Sequence, residues 1–146
     1  YSIPIIHNML NLLEREKDIK AFPAKGLVFY LVGAFLVVAF FPPDIALASI
    51  MVLALGDSVS HIFGSKFGRI MHPLAKKKFL EGMIAGVIAG FFGALFFVSW
   101  HEALIAALFA MFAEGIEIKV GAEEVDDNLV IPLAAAVSIW AVRTLF

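Results

Sequence analysis

Cysteine is absent from this chain, and charge is scarce. Without cysteine, a disulfide framework and a thiolate metal site are both excluded. Only 16% of the 146 residues are charged, 62% are hydrophobic, and the mean hydropathy is +0.94. A soluble domain of this length buries too small a share of its surface to hide so much apolar material. Lipid must cover the rest. No basic stretch precedes a short apolar core and cleavage site, so no secretory signal is legible. There is no internal repeat and no low-complexity tract. The formal net charge of −2 identifies no partner, and nothing points to nucleic acid. An initiator Met is also missing. Tyr1 opens directly into Ser2-Ile3-Pro4-Ile5-Ile6, so the chain reads as a fragment lacking its N-terminal region.

What is there is a series of apolar runs. A spanning helix needs about 20 mainly apolar residues, and five segments come near that. Lys25–Phe41 ends at the Pro42-Pro43 breaker, and Ile45–Phe63 follows as the second arm of a tight hairpin. Phe79–Trp100 carries Gly82, Gly86, Gly90 and Gly93 on one face, a spacing that suits close helix approach in a membrane. That face can serve a homo-oligomer as readily as an internal contact. Glu102–Ile118 and Asn128–Phe146 complete the set. The expected fold is therefore all-α, a polytopic membrane bundle of about five spanning helices forming one integral membrane domain, with the bundle over 25–146. Residues 1–24 read as a cytoplasmic segment. Within it, Ile5–Ala21 places Ile6, Met9, Leu10 and Leu13 on one helical face, as an interfacial amphipathic helix or the tail of a truncated span.

Lysine and arginine orient the bundle. Arg15, Lys17, Lys20, Lys25, Lys66, Arg69, Lys76, Lys77, Lys78 and Lys119 fall on one side, and Arg143 alone on the other. The positive-inside rule places the Gly64–Lys78 and Lys119–Asp127 loops in the cytoplasm. The turns on the far side, Pro42-Pro43-Asp44 and Trp100-His101-Glu102, offer little polar chemistry.

The acids gather at the same cytoplasmic end. Asp57 lies in an otherwise apolar run, about two turns from its end, where a carboxylate is costly and marks a functional site by default. Glu81 opens the third segment, Glu114 and Glu117 close the fourth, and Asp126-Asp127-Asn128 opens the fifth. Carboxylates at this density repel one another unless cations intervene. A divalent ion such as Mg²⁺ is one solution, since it takes one or two carboxylates plus substrate phosphates. Lys66, Arg69 and Lys76–Lys78 can neutralise a polyphosphate, and Gly64 and Gly68 let backbone approach it. Plainer readings stand beside these. Lys76–Lys78 suits a topology anchor, and Gly64-x-x-x-Gly68 suits helix packing. Glu123, Glu124 and Asp126 read as solvated loop charges, and Asp127 as an N-cap. His7, His72 and His101 read as interface residues, and His61 as a hydrogen-bonded neighbour.

Gly56-Asp57-x-x-Ser60-x-x-x-Gly64-x-x-x-Gly68, then Lys77-Lys78-x-x-Glu81-Gly82, Glu114 and Asp127-Asn128-Leu129-x-x-Pro132-Leu133, resembles the membrane lipid kinases that include dolichol kinase, phytol kinase and the CTP-dependent diacylglycerol kinase. The resemblance runs from about Gly26 to the C-terminus. It implies transfer of a phosphoryl group from CTP to the hydroxyl of a membrane-dissolved lipid alcohol, with Mg²⁺ as cofactor. It further implies Asp57 and Asp127 as metal-binding carboxylates and Lys78 as a phosphate contact. Glu81 and Glu114 become metal ligands, partners of Lys77 or Lys78, or the base for the lipid hydroxyl. Gly56, Gly64, Gly68 and Gly82 would admit the nucleotide, with Lys66, Arg69 and Lys77 near its phosphates. Asn128 would bond the nucleotide or orient Asp127. Phe79 and Met83 stand where the family usually has Ser or Thr, and Ser60 where Ala is common. The neighbouring reading is a CTP-using cytidylyltransferase that makes a CDP-activated lipid. An ion-coupled transporter and a non-catalytic membrane subunit are the alternatives from other classes.

Overall fold

The computed structural model describes residues 25–73, 78–116 and 125–145, with backbone alone at 119–120 and 123–124. The segment 1–24 with its Ile5–Ala21 helix, His7, Lys76, Lys77 and Glu117 lie outside the described residues. Six α-helices occur among them: α1 (Lys25–Phe40), α2 (Pro43–Met51), α3 (Ser58–Phe67), α4 (Leu80–Ala94), α5 (Trp100–Glu114) and α6 (Asp127–Leu145). One π-helical turn, Val52–Asp57, joins α2 to α3 without a break, giving a 25-residue helical run. The all-α expectation holds apart from a two-residue antiparallel pairing of β1 (Lys119–Val120) with β2 (Glu123–Glu124).

Local chemistry sets the boundaries. Pro43 sits in the first turn of α2, where its missing N–H is one that the helix would leave unpaired anyway. Ser99 and Glu102 form a capping box at the start of α5, the Ser99 hydroxyl donating to Glu102 Oε2 at 2.6 Å. Trp100 therefore begins the fourth apolar segment and does not end the third, which stops at Ala94. All five apolar segments are helical. Among the described residues two helical runs, Pro43–Phe67 and Asp127–Leu145, are by themselves long and apolar enough to cross a membrane, so length alone does not establish the count of five. The helices Lys25–Phe40 and Leu80–Ala94 are apolar but shorter.

The broken helix is the centre of the bundle. α2 packs on α1, α4 and α6, the π turn touches α4, α5 and α6, and α3 leans on α4. α6 lies along α5 and α1. Val37, Ile45, Val52, Leu53, Met111, Ile131 and Ile139 are fully buried between them, while Phe35, Phe40, Phe96 and Leu145 point outward. The glycine face of α4 is used internally. A Cβ on Gly82 would come within 2.6 Å of the Ser60 carbonyl oxygen, and one on Gly86 within 2.8 Å of the Gly56 carbonyl oxygen. These positions let α4 lie directly against α3 and the π turn.

At the end of the bundle opposite the acid-rich loops, Arg143 of α6 reaches Asp44 of α2 at 2.7 Å and donates from Nε to Glu102 of α5. Glu102 is 6% exposed. The far side is thus more polar than the sequence suggests, but its charges are spent on one another and tie three helices together. Arg143→Met should lower stability by about 3 kcal/mol, because removing one partner strands a buried carboxylate. Adding Glu102→Gln should recover most of that loss. Unfolding in mixed micelles measures both, and an Arg143→Met protein as stable as the parent would contradict the assignment.

Candidate active site

Acids from the ends of α5 and α6 converge on Lys78. Its backbone is pinned first: His72 N–H donates to the Lys78 carbonyl at 2.8 Å, Leu80 N–H donates to the Ile70 carbonyl at 2.9 Å, and Met71 bridges Phe79. From that ladder the Lys78 ammonium donates to the Glu114 carbonyl oxygen at 2.7 Å and to Asp127 Oδ2 at 2.7 Å, and meets Glu114 Oε1 at 3.1 Å. One cation therefore stitches the last turn of α5 to the first turn of α6. The placement is favourable at both ends, since carbonyls at a helix C-terminus attract cations and an acid suits an N-terminus. Burial opposes the charge on Lys78, but Glu114 and Asp127 outweigh it and hold the pKa above the ordinary lysine value of 10.5. The raised lysine pKa contributes stability that is present below the ordinary lysine range and is lost as pH rises through it.

Asp57 ends the π turn, half-buried, with three further turns of helix beyond it rather than two. Its charge lies within electrostatic reach of Asp127, Lys78 and His61. Single π turns inside α-helices occur often at functional sites. Three of the sequence-nominated residues, Lys78, Glu114 and Asp127, meet at the Lys78 ammonium, and Asp57 lies within electrostatic reach.

The other nominated residues divide. Glu81 accepts from the backbone N–H groups of Arg69 and Ile70, each at 3.1 Å, so its carboxylate closes the turn after α3 and does not join Lys78. Lys66 stands exposed in the last turn of α3, and Arg69 follows it in the loop. Gly56 packs on α4 and on Met111, Gly64 on Gly82, and Gly68 beneath the Phe79 ring. The lack of a side chain at these positions is thus already used within the bundle. Asn128 donates from Nδ2 to Asp126 Oδ1 at 2.8 Å, and its N–H reaches the same oxygen at 3.1 Å. Asp126, rather than Asp127, is the residue that caps α6, which leaves Asp127 for Lys78. Asp126 is accordingly a structural residue and not a free loop charge. His72 is buried against Gly115 and is not an interface residue.

Among the described residues no three His, Cys, Asp or Glu side chains form a cage that could hold a metal unaided. A site in which Mg²⁺ is held by one or two carboxylates and completed by substrate phosphates needs no such cage.

No protein-family model matches the chain, and no solved structure matches it. Individual proteins do. The chain is 26% identical over 157 residues to the CTP-dependent diacylglycerol kinase 1 of Schizosaccharomyces pombe, covering 94% of this chain and 68% of that protein. It is 31% identical over 141 residues to an uncharacterized protein of Methanocaldococcus jannaschii, covering 93% and 66%. It is 32% identical over 127 residues to the probable chloroplastic phytol kinase of Triticum aestivum, covering 75% and 41%. The chain thus spans from under half to about two thirds of the length of these relatives. Apolar spanning-length helices and this similarity make it a membrane protein. The kinase relatives match over three quarters or more of its length, and that similarity supports the CTP-dependent lipid kinase family for this chain.

Proposed function

We propose that this chain carries the phosphoryl-transfer site of a kinase that uses CTP to phosphorylate the hydroxyl of a membrane lipid. We place the site at the cytoplasmic face, with all five apolar segments embedded in the bilayer. The observation that carries the reading is the Lys78 ammonium clamped between Asp127 and Glu114 with Asp57 in electrostatic reach. The positive-inside asymmetry supports the orientation, and the names of the kinase relatives support the nucleotide and the lipid class.

Electrostatics defines what the site needs. Asp57, Glu114 and Asp127 outnumber Lys78, and a nucleoside triphosphate adds further negative charge. A divalent cation held by Asp57 and Asp127 removes that conflict; bound there, Mg²⁺ neutralises charge on the phosphates. Lys78 keeps the Glu114 carbonyl and Asp127 and exchanges its contact with Glu114 Oε1 for a phosphate oxygen. Lys66 and Arg69 raise the local concentration of polyanion. The acceptor oxygen attacks the terminal phosphorus and the bond from that phosphorus to the bridging oxygen breaks. CDP leaves, and the hydroxyl proton passes to the Glu114 carboxylate.

A transporter reading lacks support in the packing. Between the two charged ends lie Val52, Leu53, Ala107, Ile131 and Ala135, all buried and apolar, while the buried Ser49 and Ser138 donate to carbonyls of their own helices, so among the described residues no buried charge lies between the ends.

The purified protein with CTP, Mg²⁺ and a panel of farnesol, geranylgeraniol, phytol, longer polyprenols and diacylglycerol should yield a phosphorylated lipid and CDP. Pyrophosphate release in place of CDP would point to cytidylyl transfer, and no product from any acceptor, with ATP also tried, would sink the proposal. Asp57→Asn and Asp127→Asn should each lower turnover by about a hundredfold or more. Full activity in either would remove it from the metal assignment.

A further inference from the structure

Beside the Lys78–Glu114 pair lies a small cavity whose wall also includes Ser60, His72, Phe79, Met83, Met111 and Gly115. The volume open to the centre of a water molecule is about 10 Å³, room for about one molecule. Two polar groups on the wall are short of partners. Ser60, in the first turn of α3, is 8% exposed, and its hydroxyl has no hydrogen bond among the described residues. The other buried serines differ, since Ser49 and Ser138 each donate to a carbonyl of their own helix. Glu114 is 7% exposed, and among the described residues its carboxylate meets Lys78 alone. A carboxylate can accept about four bonds. Buried polar groups of this kind are nearly always bonded to protein or to water. We infer that the cavity is a one-water site bridging the Ser60 hydroxyl and the Glu114 carboxylate, which makes Ser60 a positioning residue for Glu114. The positioning role rests on the kinase reading; the water site does not.

The bonding balances. The Ser60 hydroxyl donates to the water oxygen, and the water donates one hydrogen to the Glu114 carboxylate. The His72 ring lines the same cavity, and a ring nitrogen can accept from the water or donate to it according to tautomer. Buried waters typically make about three such bonds. Phe79, Met83 and Met111 complete the wall without a strong donor or acceptor. The bridge matters most when substrate binds. Lys78 then exchanges its contact with Glu114 Oε1 for a phosphate oxygen, and the carboxylate loses its partner among the described side chains. The water still donates to it. One carboxylate oxygen is thus held in place while the other takes the proton of the acceptor hydroxyl.

Ser60→Ala separates a bridged hydroxyl from an unbonded one. Deleting an unbonded buried hydroxyl should leave the melting temperature in mixed micelles unchanged or raise it. Deleting a bridged one should lower it by about 3 °C. A high-resolution structure should also show one water within about 3.2 Å of Ser60 Oγ and of the Glu114 carboxylate. With CTP, Mg²⁺ and whichever of geranylgeraniol, phytol or diacylglycerol is turned over, Ser60→Ala should lower kcat by about tenfold. KM for CTP should stay within about twofold. In the Glu114→Gln background, followed with γ-labelled CTP, adding Ser60→Ala should change the residual kcat by less than about twofold, because the base it positions is gone. A merely structural effect would cost the same factor in both backgrounds. A dry cavity, or a Ser60→Ala protein as stable as the parent, overturns the water site whatever the activity. An unchanged kcat, or a tenfold loss that persists beside Glu114→Gln, overturns the positioning role. No phosphorylation of any acceptor overturns the kinase reading and that role together, while the structure and the melting temperature still decide the water site.

Discussion

Replacing Lys78 by methionine is expected to lower phosphoryl transfer by about a thousandfold, the upper range for loss of one preorganised donor to developing charge. Lys78 has two roles in the geometry. It holds Glu114 and Asp127 in register across the α5–α6 junction, with contacts of 3.1 and 2.7 Å, and among the described residues it is the cation in contact with these acids. Its removal leaves Glu114, 7% exposed, without a counter-charge. Stability should therefore fall as well, by about 3 kcal/mol, as when one member of a buried pair is deleted. The double variant Lys78→Met with Glu114→Gln isolates the stability role. Stability should return toward that of the parent, while turnover stays lost because both the phosphate contact and the proton acceptor are gone. Recovery of turnover in the double variant would contradict both assignments, Lys78 at the phosphates and Glu114 as base. Unfolding in mixed micelles and CTP turnover, measured on the same preparations, give the two readouts.

The second large effect falls on packing. Gly82→Val together with Gly86→Val should prevent α4 from seating against α3 and the π turn. At Gly82 a Cβ meets backbone, the Ser60 carbonyl oxygen at 2.6 Å. At Gly86 it meets Met111 Sδ at 2.7 Å and the Gly56 carbonyl oxygen at 2.8 Å. Backbone on both helices cannot move aside as a side chain can, so the double change should cost more than about 3 kcal/mol, above the usual range for overpacking. Gly90 provides the control. There a Cβ meets Val52 Cγ1 at 3.4 Å and the Ala107 Cβ at 3.6 Å, ordinary contact distances. Gly90→Ala should leave the melting transition nearly unchanged. A stable, folded Gly82→Val/Gly86→Val protein would mean that the α3–α4 contact is not as close as described.

The residues explain what could be read from the sequence. The five apolar helices were legible because hydropathy and breakers are local: Pro42-Pro43 ends one run, and the Lys-rich loop ends another. The start of α5 was legible too, since Ser99-x-x-Glu102 is a capping-box pattern, yet Trp100 looked like the close of the preceding apolar run. The π turn at Val52–Asp57 leaves no periodic signature in so short a stretch, and Asp57 sits one turn farther from the helix end than the sequence suggests because α3 runs past Phe63 to Phe67. Sorting Asp126 from Asp127 required geometry, because adjacent acids at a helix start differ only in which one turns back to the N–H groups. Glu81 looked catalytic by proximity in sequence to Lys78, but α4 points it at the Arg69 and Ile70 amides. The Lys78 contacts bridge 36 and 49 residues of chain. Shared membrane side foretold that those groups would meet at one end, and only the tertiary packing selects which acids reach the ammonium. The Arg143 cluster with Asp44 and Glu102 joins three helices in the same way and was invisible for the same reason.

The central claim is that the terminal phosphoryl group of CTP passes to a lipid hydroxyl at the Lys78 site. Paired reactions with CTP labelled at the γ-phosphate or at the α-phosphate, each with Mg²⁺ and geranylgeraniol, phytol or diacylglycerol, test it directly. Label from the γ position should enter the lipid phase with the wild-type protein and not with Lys78→Met, while α label stays in water as CDP. Lipid that carries the α label, or no labelled lipid from any acceptor, would contradict the account.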